Sequence, residues 1–168
     1  YTGRAGSYLI KNGTAFSELS SGHKSFKAEV LPESKLATIP VLVTPEGQVI
    51  RDGGAIIEHF EKSNSRRFTP SSPKQQIVST LFDLIGTSGL LRPAMHYRWN
   101  YLDENGEFLH YHFLHSQPEH SGREAKSQYM MSKMQHAGRL FGVTEESAAL
   151  VETVYLEFLD ALNKHFGE

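Results

Sequence analysis

The stretch ATIPVLVTPEGQVIRDGGAIIEHFE, running from Ala37 to Glu61, decides how this chain reads. Ile39-Pro40-Val41-Leu42-Val43 is an apolar run of strand length, and its lack of alternation predicts burial on both faces. Thr44-Pro45-Glu46-Gly47 puts proline early and glycine late, the composition of a tight turn. Gln48-Val49-Ile50-Arg51 then returns antiparallel, so the two runs predict a β-hairpin. From about Gly53 to Lys62 the positions of Ile56, Ile57 and Phe60 predict a helix with those side chains turned inward. Asp52 stands at the N-cap of that helix, and Gly53-Gly54 ease the turn into it.

Upstream, residues 3 to 12 read as a short helix in which Ala5, Tyr8 and Leu9 share a face, and Asn12-Gly13 supplies a left-handed stop. Ala15-Phe16-Ser17-Glu18-Leu19 alternates like a half-buried strand. The segment from Ser20 to Leu36 is polar, with one or two helical turns around Phe26, Ala28 and Val30. Downstream, NSRRFTPSSP (Asn64 to Pro73) has no apolar period and marks a boundary. Everything beyond it reads as helix: about 75–101, bent by Gly86, Gly89 and Pro93, then about 104–116 and about 119–141. In the last helix Thr144 is the N-cap, Glu145-Glu146 lie at the positive dipole end, and Leu150, Val151, Val154, Tyr155, Phe158, Leu162 and Phe166 form its stripe. The predicted organisation is a mixed α/β domain over residues 1–63, a linker over 64–73 and an all-helical domain over 74–168.

Composition narrows the function classes. Seventeen basic against nineteen acidic residues leave a formal charge of −2, which argues against a nucleic-acid surface built on bulk charge. The nine histidines, if all protonated, would add nine to that value and bring it to +7, so the charge responds to pH near about 6.5. No apolar run approaches the roughly eighteen residues of a membrane span, and no signal-peptide core is visible. Cysteine is absent from the 168 residues, so disulfides, thiolate zinc sites and a cysteine nucleophile are excluded within them. The expectation is a cytoplasmic protein without membrane or nucleic-acid partners.

The order helix, strand, helix, hairpin, helix, then helices only, resembles the soluble glutathione S-transferase family. Two stretches carry the likeness. Ala37 to Leu42 followed by Gln48 to Glu61 is similar to that family's proline-then-helix glutathione site, and Tyr1-Thr2-Gly3-Arg4-Ala5-Gly6-Ser7-Tyr8-Leu9 is similar to its first helix. Leu90-Leu91-Arg92-Pro93-Ala94-Met95-His96-Tyr97-Arg98-Trp99 resembles a bacterial-type subgroup. The resemblance implies a thioredoxin-like N-terminal domain followed by an all-helical C-terminal one. It also implies that the family's first strand, between the Phe16 and Val41 strands, and its C-terminal helices lie outside this sequence.

The resemblance carries roles to particular residues. A proline matching Pro40 is cis in the family, and Ile39 would offer its N–H and C=O to the cysteinyl part of glutathione. Asp52 and Gly53 would hold glutathione at a helix start, whose unpaired backbone N–H groups suit the γ-glutamyl carboxylate. Here the sequence departs from the family: Gly53 stands where a serine or threonine hydroxyl is expected. The residue that activates the thiol would fall two positions ahead of Tyr1, leaving Tyr1 and Thr2 beside the sulfur and Thr2 as the one hydroxyl in reach. Tyr1, His96 and Trp99 would line the pocket for the second substrate, although the Met95–Trp99 run suits packing between domains or subunits equally well. Arg4 reads as pairing across a domain contact rather than acting on substrate.

Other signals point elsewhere or nowhere. His110, His112, His115 and His120 have no metal-binding spacing: only His112 and His115 share a helical face, and Pro118 breaks the helix before His120. No metal is expected. Met130, Met131 and Met134 read as core filler, and Arg66-Arg67 is too short for a targeting or nucleic-acid signal. The functional expectation is an enzyme that conjugates or reduces small hydrophobic electrophiles with glutathione as co-substrate, working as a homodimer. The competing expectation is a non-catalytic scaffold or ligand-binding protein on the same fold. A thioredoxin-type redox protein is set aside for want of a cysteine.

Overall fold

The computed structural model describes residues 2–65 and 68–167; the Arg66-Arg67 pair and Tyr1 lie outside the described residues. Eight α-helices and one two-stranded sheet make up the regular structure among them. Backbone contacts divide the chain into two units, one up to Thr80 and one from Leu81 on.

In the first unit α1 (Thr2–Asn12) closes on Gly13, whose φ of 72° is the left-handed geometry glycine tolerates. Gly13 donates to the Ile10 carbonyl and Thr14 to the Leu9 carbonyl, so two of the orphan carbonyls at the helix end are satisfied. The alternating Ala15–Leu19 segment is not a strand; it runs irregular and exposed. A strand needs a neighbour for its N–H and C=O groups, and the sheet here holds only the hairpin. Phe26–Val30 forms a wide π-type turn that continues into α2 (Leu31–Ser34).

The hairpin forms as its sequence predicts. β1 (Val41–Val43) pairs antiparallel with β2 (Val49–Arg51), with Val41 opposite Arg51 and Val43 opposite Val49. Thr44 donates to the Gln48 carbonyl across the turn, and Gly47 takes a φ of 85°. Burial on both faces is not found: Val41 and Leu42 are half-buried, and Val43 and Ile39 are exposed. With two strands and no covering layer on each side, an apolar run is buried only where a helix meets it. α3 (Gly53–Ser63) supplies the rest of this unit and packs against α1, with Ile56 buried on the one and Ala5 and Leu9 on the other. Each such side chain removed from water contributes roughly 1.5–3 kcal/mol when large and aliphatic.

α4 (Pro73–Leu84) carries the boundary between the units. The 64–73 stretch ahead of it holds turns, and Gln76 reaches back to the Pro70 carbonyl. Gly86 and Gly89 lie in a π-type turn, Ile85–Gly89, closed by Leu90 N–H on the Ile85 carbonyl. Beyond it come α5 (Leu91–Trp99), α6 (Leu102–His115), α7 (Arg123–Leu140) and α8 (Glu145–Gly167). Met95, Trp99, Leu109 and Val143 are the buried centre of this unit, with Leu91, Phe113 and Met131 packed against them. α8 opens on a reciprocal cap, Ser147 N–H to Thr144 Oγ1 and Thr144 N–H to Ser147 Oγ. Of its apolar stripe only Val151 is buried; Leu150, Val154 and Phe166 are exposed. Met134 is exposed too, so only Met131 and Met130 behave as filler.

Candidate functional site

The junction of the hairpin and α3 is held by one residue. Asp52 donates its N–H to the Pro40 carbonyl at 3.2 Å, and its Oδ1 accepts from Gly54 N–H at 2.8 Å and Ala55 N–H at 3.3 Å. Its carbonyl accepts from Ile56 N–H, the first turn of α3. To make all four bonds Asp52 takes φ 77° and ψ 138°, a conformation that costs a residue with a side chain about 1–3 kcal/mol. Two glycines follow it, yet the strained position is the aspartate. Strain of this kind persists only where several interactions fix it.

Ile39 and Pro40 stand opposite this junction. Their peptide bond is cis, the conformer the resemblance implies. Ile39 is 53% exposed, and among the described residues no hydrogen bond uses its N–H or its carbonyl. Ile39, Pro40 and Asp52 line one open cleft of about 610 Å³, together with Glu33, Ser34, Leu36, Thr38 and the β2 residues. Gly53 is buried under the start of α3 and lies outside that lining. The cleft therefore brings together three of the four residues expected to hold glutathione.

Arg4, expected to pair rather than to act on substrate, lies beside the start of α3. Its guanidinium lies over Gly54: a Cβ there would sit 3.5 Å from Nη2 and 3.1 Å from Asp52 Oδ1. A side chain at Gly54 would therefore crowd the Asp52 carboxylate and lie in contact with Arg4. Thr2, the weak candidate for the reacting hydroxyl, is the first residue of α1 and half-buried. Tyr1, beside it, lies outside the described residues.

The far end of α3 is pinned by Glu61, a carboxylate only 3% exposed. It accepts from Tyr8 Oη at 2.6 Å, from Phe68 N–H, from Thr69 N–H and from Thr69 Oγ1 at 2.7 Å. Burial pushes this carboxyl up, but the hydrogen bonds from Tyr8, Thr69 and Phe68 outweigh it and hold it below the ordinary carboxylate range. The result ties α1, α3 and the 68–69 segment to one charge, which fixes the orientation of the helix that carries the cleft's Asp52.

His96 and Trp99 belong to the helical unit and are buried in it, 2% and 6% exposed. His96 Nε2 lies 2.8 Å from Glu152 Oε1, and Nδ1 lies 2.8 Å from the Asn100 side-chain amide. An amide donating to Nδ1 leaves the ring proton on Nε2, directed at Glu152. Tyr101 Oη donates to the same Glu152 oxygen at 2.6 Å. These bonds, Tyr101 first and His96 second, hold the Glu152 carboxyl below its usual range. The same Glu152 bond raises the Tyr101 phenol. Among the described residues, no group of three or more histidines and carboxylates is arranged for a metal ion. His110 pairs with Glu124 at 2.7 Å, His115 Nδ1 meets the Tyr111 carbonyl, His112 stacks near Phe108, and His120 accepts from Gly122 N–H. Among them no helix is long and apolar enough to cross a membrane.

Comparison with known protein families, with curated proteins and with solved structures returns no match. The arrangement itself must carry the functional reading.

Proposed function

We propose that this chain is a glutathione S-transferase-like enzyme, with a thioredoxin-like first unit, that conjugates or reduces small hydrophobic electrophiles with glutathione. The observation that carries the reading is the single cleft lined by Ile39, Pro40 and Asp52. Ile39 presents an N–H and a carbonyl with no partner among the described residues, the pair a cysteinyl backbone would use as an added edge strand. Asp52, in the same lining, is an exposed carboxylate that suits the α-ammonium of a γ-glutamyl group. In this reading the protein works as a cytoplasmic homodimer.

A second reading, a non-catalytic scaffold or ligand-binding protein on the same fold, is favoured by one specific observation. Asp52 Oδ1 already accepts from the Gly54 and Ala55 amides, and Gly53 brings no hydroxyl. Two contacts that would strengthen glutathione binding are thereby lost. Passage of the intact protein over immobilised glutathione, followed by titration calorimetry, tests both. Retention, binding and turnover of an activated aryl halide support the enzyme; retention without turnover supports the scaffold. Flow-through with no heat of binding refutes the enzyme reading.

A further inference from the structure

The cleft's charges do not match an anion except at one point. Its lining holds two carboxylates, Glu33 and Asp52, and a single cation, Arg51. Glutathione carries two carboxylates and one ammonium, so its net charge is the same sign as that of the cleft. The helix amides at Gly54 and Ala55, which would ordinarily attract a carboxylate, are occupied by Asp52. Gly53 supplies no hydroxyl. A ligand carboxylate entering this cleft has only one positive group to meet.

We infer that Arg51 is the carboxylate-binding residue of this cleft, taking over the role that the missing hydroxyl and the capped amides cannot fill. The inference rests on the glutathione reading and names the residue that decides its affinity. Arg51 ends β2 opposite Val41, one residue beyond Pro40, and directly precedes Asp52. Its side chain is exposed, and among the described residues it takes part in no ion pair. A guanidinium offers a planar fork of donors that matches a carboxylate with two parallel bonds. Among the described residues nothing uses that fork. An unpaired arginine beside two carboxylates in a cleft also selects a zwitterionic partner, with ammonium towards Glu33 or Asp52 and carboxylate towards Arg51. The ligand class that follows is a peptide acid with a free α-amino group, and a purely anionic thiol is disfavoured.

The test compares the full chain with Arg51→Gln and Arg51→Lys by titration calorimetry with reduced glutathione at two salt concentrations. A lost hydrogen bond to a charged group weakens binding roughly ten- to a hundredfold, the drop expected for Arg51→Gln. Arg51→Lys keeps the charge without the fork and is expected to fall between the two. Binding to the unaltered chain is expected to weaken with salt, and this dependence is expected to flatten in Arg51→Gln, which a merely structural role would not produce. If the unaltered chain binds and both variants bind within about twofold of it, Arg51 is not the receiving group and the glutathione reading stands without it. If the unaltered chain binds no glutathione, the reading and this inference fall together.

Discussion

Asp52 bonds to Pro40 through its backbone and caps α3 with its side chain, so one residue couples the cis bend of the hairpin to the direction of a helix. This coupling is why the two walls of the cleft keep a fixed spacing. It also makes the aspartate hard to replace, since a substitute must accept two amides and tolerate a positive φ.

Asp52→Ala removes the cap and keeps the strained backbone. Loss of an N-cap side chain costs about 0.5–2 kcal/mol, and the upper half of that range is expected here. Asp52→Gly loses the same bonds and relieves the backbone, so it is expected to cost less than alanine. Urea unfolding followed by helical circular dichroism ranks the two; alanine as the milder change would contradict the assigned geometry.

Gly53→Ser returns a hydroxyl to the start of α3. Glutathione affinity is expected to rise about tenfold, the effect of one hydrogen bond to a charged group. Calorimetry on the folded variant reads this directly, and an unchanged or weaker affinity would show that the ligand does not reach the helix start.

Glu61 makes the first unit acid-sensitive. Its folded pKa is depressed, so its contribution is fully present above the unfolded carboxylate value of about 4.3 and is lost as pH falls through the lower folded value. The stability gap between the unaltered chain and Glu61→Gln is therefore expected to be widest at neutral pH and to close in acid. A gap independent of pH would mean that the charge of Glu61 is not what holds Tyr8 and the 68–69 segment.

His96→Ala empties a buried site and leaves the Asn100 amide without its ring partner, while Glu152 keeps its bond from Tyr101. A loss of about 2–4 kcal/mol in the stability of the helical unit is expected, from the cavity and the orphaned amide together. Histidine side-chain NMR offers an independent check: the Nε2 proton is expected to exchange slowly, as the 2% exposure requires.

Much of this architecture was legible because it is local. The turn at Gly47, the stop at Gly13 and the cap at Thr144 each follow from a few adjacent residues, and the spacing of Ile56 fixed the inner face of α3. What depends on distant partners was not. Ala15–Leu19 alternates like a strand, but pairing is decided by a neighbour elsewhere in the chain. Glu61 looks like one more charge on a helix until Thr69 and Tyr8, which lies 53 residues away, are seen around it. His96 reads as an open polar tip, and its burial depends on Glu152, 56 residues on. At the cleft, Pro40 and Asp52 stood out through the family resemblance, whereas the positive φ of Asp52 was hidden by two glycines that seemed better suited to it. Arg51 was missed because nothing in a sequence tells which arginine faces a cleft.

The central claim is that a thiol peptide sits between Ile39 and the start of α3. Backbone amide NMR of the intact chain, titrated with reduced glutathione, tests it most directly. The account predicts saturable shifts concentrated at Ile39, Arg51, Asp52 and Gly54, with the α7 amides unmoved. A titration that leaves those four resonances in place, whatever else it shifts, would contradict it.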